Sequence, residues 1–188
     1  MPAGYSAILW SSEAAGTQLA NSTTQTSILN AGDKYTLPAG FLDKLGKKLR
    51  IRASGNISCV VTTPGTLLFQ VLFGATNVAA MPAVNLNTTA KTSVTWELDW
   101  YLRLSAKGGG TSATFAHWGK FISEAVVGSA ANTAGGNGLL LFPTTSPPTT
   151  GGGFDNTVAN VIDLQAKFSV NTAGTNITLA EYELWSDN

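Results

Sequence analysis

Few side chains in this sequence are of the kinds that do chemistry, so their spacing decides what can act together. Glu97 and Asp99 stand two positions apart. In an extended chain they project from one face roughly 7 Å apart, a separation that a glycoside hydrolase's carboxylate pair can use. Neighbouring like charges are also the ordinary wet face of a strand, with Arg103 or Lys120 at hand as ion-pair partners, and that plainer reading is adopted. His117 is the single histidine. Neither a histidine-based metal site nor a Ser-His-Asp arrangement can be assembled around it with ligands to spare, so it is expected to be packed or interfacial. Cys59 is also alone, which excludes an intrachain disulfide and suits a small buried hydrophobe. No phosphate-binding glycine motif and no C-x-x-C is present. No catalytic residue, cofactor or metal ligand is therefore assigned. The five tryptophans invite stacking on sugar rings. Trp96 and Trp100 fall on a dry strand face, which leaves Trp10, Trp118 and Trp185 as the candidates.

The element that positions these groups is the stretch from Val94 to Leu104. Val94, Trp96, Leu98, Trp100, Leu102 and Leu104 alternate with Thr95, Glu97, Asp99, Tyr101 and Arg103, the period of a β-strand with one dry and one wet face. At about 3.3 Å per residue it runs roughly 35 Å, the full width of a sheet. Each of its apolar side chains is worth about 1.5–3 kcal/mol when buried, and a second sheet laid on that face is the means of burying them.

Composition narrows the classes. The 188 residues can bury one substantial core. Charged residues make up 12% and apolar ones 44%, and the eleven basic and eleven acidic side chains cancel. A neutral, hydroxyl-rich surface of this kind suits a subunit that buries much of itself in an assembly better than a soluble monomer. Nucleic acid is not an expected partner, because the one basic cluster, Lys44 to Arg52, reads as turn and strand face. No signal peptide and no membrane span is expected.

Along the chain, residues 1–16 read as an N-terminal arm and residues 17–188 as a single β-sandwich domain. The arm carries Tyr5, Ile8, Leu9 and Trp10, costly in water and suited to lying on a neighbour. Pro38 to Gly46, with Phe41, Leu42 and Leu45 on one side, predicts one short helix. Gly55 inside the strand from Lys48 predicts a bulge or a close backbone approach. Thr66-Leu-Leu-Phe-Gln-Val-Leu-Phe73 is apolar at nearly every position, as in a strand covered on both faces. Leu68, Val71 and Phe73 are accordingly expected at a subunit contact. Thr111 to Val127 reads as one long strand placing Trp118 on the side opposite His117, and residues 128–156 as a long contact loop. The segments 157–170 and 175–185 read as a hairpin, with a bulge near Ala180 to reconcile the parities of Leu179 and Tyr182. The expected fold is all-β, a jelly-roll-like sandwich of about eight to ten antiparallel strands with one short helix.

A resemblance adds to this. The runs Ser22-Thr-Thr-Gln-Thr-Ser-Ile-Leu-Asn30, Lys34-Tyr-Thr-Leu-Pro-Ala-Gly-Phe41, Lys48-Leu-Arg-Ile-Arg-Ala-Ser-Gly-Asn-Ile-Ser58 and Thr63-Pro-Gly-Thr-Leu-Leu-Phe-Gln-Val-Leu-Phe-Gly74 resemble tailed-bacteriophage virion proteins with jelly-roll folds. The likeness implies a non-enzymatic structural protein, often trimeric, placed in the virion after assembly in the bacterial cytoplasm. Its expected partners are copies of itself and the major capsid protein or other virion proteins. The expected role is capsid decoration or head association; host-surface glycan recognition on a tail is the alternative. The interface candidates are Tyr5, Ile8, Leu9, Trp10, Leu68, Val71, Phe73 and Trp118.

Overall fold

The computed structural model describes residues 6–60, 63–129, 138–145 and 147–187. Its strands are β1 (Ser6–Ser11), β2 (Leu19–Ala20), β3 (Thr26–Ser27), β4 (Thr36–Leu37), β5 (Lys48–Cys59), β6 (Thr66–Phe73), β7 (Thr76–Ala80), β8 (Val84–Leu86), β9 (Lys91–Ala106), β10 (Thr114–Ser123), β11 (Val126–Ser129), β12 (Leu139–Phe142), β13 (Thr149–Thr150), β14 (Asn160–Phe168) and β15 (Asn176–Asp187). Among the described residues they form two antiparallel sheets in a sandwich-like arrangement. The large sheet, of eight strands, runs β1-β15-β5-β9-β10-β12 with β2 on β15 and β13 on β10. The small sheet, of seven, runs β11-β8-β6-β14-β3 with β4 on β14 and β7 on β6.

Period two in the sequence becomes burial on one face. In β9 the side chains of Trp96, Leu98, Trp100, Leu102 and Leu104 are buried, while Glu97, Arg103 and Ser105 are exposed. β5 and β15 alternate in the same way. Aromatic rings join the two sheets: Phe69 of β6 lies 5.5 Å from Trp96 of β9 and 5.4 Å from Phe121 of β10, centroid to centroid. Phe73 meets Phe115 edge-on at 5.4 Å. Rings at these separations add about 0.5–1.5 kcal/mol per pair beyond the area they bury.

Two local expectations hold. β15 slips register against β5 between Leu179 and Glu181, so the bulge turns Leu179 and Tyr182 both inward. Opposite it, Gly55 lies where an added Cβ would overlap the Thr178 carbonyl oxygen, which is the close approach that required glycine.

Other expectations are corrected. The segments 160–168 and 176–187 are not a hairpin, since β14 pairs β6, β3 and β4 whereas β15 pairs β5, β1 and β2. The turn at 171–174 is an arch between sheets, and the two dry faces meet across the core instead of lying side by side. The predicted helix over Pro38–Gly46 is a series of turns, and among the described residues the one helical turn is a 3-10 turn at Ala31–Asp33, capped by the Asn30 side chain accepting from Gly32 N. A segment this short gains little from helix formation. Its polar groups bond elsewhere: Gly40 N donates to Asn156 O, and the buried Asn156 amide donates to Leu42 O while accepting from Gly108 N. The long strand read over 111–127 breaks after Ser123, whose hydroxyl donates to Thr95 O and accepts from Ala125 N. The chain then crosses to the small sheet, where Val126 pairs Leu86.

Part of the segment expected as an arm over residues 1–16 is paired. From Ser6 onward it is the edge strand β1 on β15 of its own chain, and Gly16 N donates to Leu179 O. Ile8 pairs Trp185 but Trp10 pairs Leu184, so an irregularity turns Trp10 inward, where its ring lies 6.1 Å from Tyr35.

Gly119 offers a test of the β9-β10-β12 register. A Cβ there would meet the Asp99 carbonyl oxygen and the Phe142 ring. Gly119→Ala is expected to lower stability by about 1–3 kcal/mol in urea unfolding; an unchanged midpoint and slope would mean that Phe142 does not cover this position.

Candidate functional site

The wet face of the large sheet gathers the polar and aromatic groups into rows, because adjacent strands pair in register. One row runs Trp185, Arg50, Tyr101, Trp118 across β15, β5, β9 and β10. The next runs Glu183, Arg52, Asp99, Lys120 and ends at Leu141 of β12. A third runs Glu181, Ser54, Glu97, Ile122, Leu139. Charges of opposite sign therefore sit opposite one another along the second row, the arrangement that stabilises cross-strand pairs.

Arg50 and Asp99 bind each other in a bidentate fork, Nε to Oδ1 at 2.7 Å and Nη2 to Oδ2 at 2.8 Å. The Asp99 hydrogen bonds push the Arg50 pKa further up. The Tyr101 hydroxyl also donates to Asp99, at 3.3 Å, and partial burial first, the Asp99 charge second, raises its pKa. Arg50 lies 5.0 Å from the centroid of the Tyr101 ring, and Tyr101 stacks on Trp118 at 5.6 Å and 10°. The column is thus cation, ring, ring. Beside it opens a cleft of about 260 Å³ lined by Arg50, Arg52, Ser54, Glu97, Asp99, Lys120, Glu181 and Glu183, with Ala53 and Leu98. It exists because Ser54 is short between two glutamates. Arg52 approaches Glu183 at 3.6 Å; Glu97, Glu181 and Lys120 make no ion pair among the described residues.

The carboxylate pair considered for catalysis is thereby divided. Glu97 is exposed, but Asp99 is held by Arg50, neither by Arg103 nor by Lys120. His117 points the other way, into the core, at 2% exposure. Its Nδ1 accepts from Trp100 Nε1 at 3.3 Å, and burial pulls its pKa from 6.5 down to about 4, so it is neutral at pH 7. Cys59 is buried as expected, and burial raises its thiol pKa. Among the described residues no group of three or more His, Cys, Asp or Glu is placed to hold a metal.

The interface candidates separate. Tyr5 lies outside the described residues. Ile8 is 51% exposed on β1, whereas Leu9 and Trp10 pack against the core. Leu68 is half-buried on the outer face of β6. Val71 and Phe73 are corrected: at 0% and 2% exposure they lie in the core, Phe73 against Phe115 of β10, and present no surface to a partner. The reason is the strict alternation of β6, whose odd positions are buried and whose even positions are half-exposed. Trp118 is on the outer face, as read. Sequence reasoning missed Arg50 and Tyr101 beside it, and also the exposed Ile122 and Leu141. Their only signal was wet-face parity, which cannot reveal cross-strand neighbours until the register is known.

No protein-family model and no curated protein sequence matches the chain. Among solved structures it is similar to a protein of unknown function from Shewanella oneidensis MR-1. The identity is 11%, the alignment covers 97% of this chain and 78% of that one, and the TM-score is 0.36; a likeness at that level carries no argument about function.

The buried histidine gives this sandwich a pH signature. With a folded pKa of about 4 against 6.5 unfolded, the unfolded chain takes the proton first. The contribution of His117 is complete above pH 6.5 and is lost as pH falls toward 4, by about 3 kcal/mol in all. His117→Phe is expected to be less stable at pH 7 by about 1–3 kcal/mol, because Trp100 Nε1 loses its acceptor, yet to show a shallower stability loss between pH 6.5 and 4 in denaturant titrations. A slope equal to that of the parent protein would clear His117 of this role.

Proposed function

We propose that this chain is a non-enzymatic structural protein of a bacteriophage virion, a jelly-roll subunit that decorates the capsid or associates with the head. In this reading it self-associates as a homotrimer and contacts the major capsid protein or other shell proteins. The observation that carries the reading is the apolar end of the large sheet. Leu141 is 63% exposed and Ile122 38% exposed on adjacent strands, with Leu139 beside them. Exposed leucine and isoleucine side by side, on a chain with 12% charged residues and no net charge, favour association over solvation.

Two further features support it. The outer face of β6 presents Leu68 and Leu72 only half-covered, and the exposed Val158 and Val161 lie at the start of β14. Two of the groups suited to catalysis by type are otherwise engaged, Asp99 in its fork with Arg50 and His117 with Trp100 in the core.

Light scattering on the purified chain tests the self-association directly. A trimer is expected in the micromolar range, and Leu141→Lys with Ile122→Lys is expected to shift it to monomer with unchanged circular dichroism. A parent protein that stays monomeric throughout that range contradicts the reading, as does negative-stain imaging in which a label on this chain is absent from purified virions.

A further inference from the structure

We propose that the outer face of the large sheet binds a neutral or amino-substituted oligosaccharide, one end seated in the cleft over Ser54 and the chain running on past Lys120 to Trp118. The inference goes beyond the structural reading and stands on residues beside the exposed Ile122 and Leu141, which pair Glu97 and Lys120.

The aromatic column supplies the platform. Arg50 lies over the Tyr101 ring and Trp118 stacks on it, so the ring offered to a ligand is Trp118, which meets no other aromatic ring among the described residues and is only partly buried. A sugar's C–H face stacks on such a ring. Lys120 stands two positions further along β10 on the same face, about 7 Å away, and belongs to the lining of the cleft. An oligosaccharide of several units spans the roughly 16 Å from Ser54 to Trp118, two strand spacings across and four residues along. The cleft, at about 260 Å³, lies just below the roughly 300–1,000 Å³ of pockets that take drug-sized ligands, and so accepts a single ring.

Charge accounting selects the sugar class. Arg50 and Asp99 neutralise one another in their fork. What remains to meet hydroxyls is donors from Arg52 and Lys120 and acceptors from Glu97 and Glu181, the last two on either side of Ser54. Three cations face four carboxylates in the lining. An acidic glycan or a phosphate meets net repulsion there, whereas a hydroxyl or amine finds acceptors on both sides. The walls are also rigid, because β5, β9 and β10 are interior strands of the sheet, and groups fixed beforehand lose less entropy on binding.

The test uses the full chain on an array carrying neutral, aminated and acidic bacterial-surface glycans, followed by calorimetric titration with chitin oligomers, chitosan oligomers and oligogalacturonate. Binding to neutral or aminated glycans is expected, with oligogalacturonate rejected. Glu97→Gln, Lys120→Ala and Trp118→Ala are each expected to weaken it about tenfold or more. Lys167→Ala, on the small sheet, is expected to bind as the parent does. Circular dichroism shows whether Trp118→Ala folds, and the two charge variants carry the test if it does not. The proposal is overturned by an array with no neutral or aminated hit, by a preference for the acidic glycans, or by affinities unchanged in all three variants. Light scattering reads self-association separately, so its failure and a failure of glycan binding are told apart.

Discussion

The burial of one face of β9 between two sheets is the constraint on which the rest of this molecule depends. Trp96 and Trp100 are fully buried, and each reaches past its own strand. Trp96 donates Nε1 to Thr178 O of β15 and meets Phe69 of the small sheet. Trp100 donates to His117 of β10 and meets Phe142 of β12 edge-on at 5.1 Å. Two side chains thus hold the large sheet together laterally and attach the small sheet to it. Because a strand's side chains alternate, fixing these residues inward fixes Glu97, Asp99 and Tyr101 outward. The chemistry of the outer face is a consequence of the core.

That outer face is ordered by pairing register. The fork between Arg50 and Asp99, the stack of Tyr101 on Trp118 and the gap over Ser54 all arise because β5, β9 and β10 align residue for residue through this region. A slip of one position would carry every one of these groups to the other face. Glycine at 119 and glycine at 55 contribute by letting neighbouring backbone and the Phe142 ring approach, where a side chain would collide. The small sheet has its own outward fixing point: Asp163 accepts from Ser27 Oγ at 2.6 Å, Lys34 Nζ at 3.0 Å and Gln165 Nε2 at 2.9 Å. It ties β3 and the segment before β4 onto β14.

Much of this was legible in the sequence, for a reason that also explains what was not. Period two declares which face of a strand is dry, so the inward places of Trp96, Trp100, Cys59 and His117 and the slip near Ala180 could be read from parity alone. Period two does not say which sheet a strand joins. The segments 160–168 and 176–187 each carry a dry face and are joined by a Gly-containing turn, a pattern shared by a hairpin and by an arch between sheets. The same ambiguity placed Val71 and Phe73 at a surface, because an apolar run hides alternation that burial later reveals. The helix expected near Phe41 was drawn from three apolar side chains, but Leu45 is 61% exposed and Phe41 is engaged by Lys47, whose Nζ lies 4.0 Å from the ring centroid. Long-range hydrogen bonds with Asn156, more than a hundred positions away in sequence, decided that segment. The candidate cleft was invisible for the same reason, since its walls come from β5, β9, β10 and β15.

The coupling between Phe69 and Trp96 tests the central claim most directly, because this pair joins the sheets through the strand that orients everything else. A double-mutant cycle with Phe69→Leu and Trp96→Phe, read by urea unfolding, is predicted to show single losses whose sum exceeds the double loss by about 0.5–1.5 kcal/mol. Strict additivity would contradict the account, for it would mean that the two rings do not meet and that the sandwich is closed by something else.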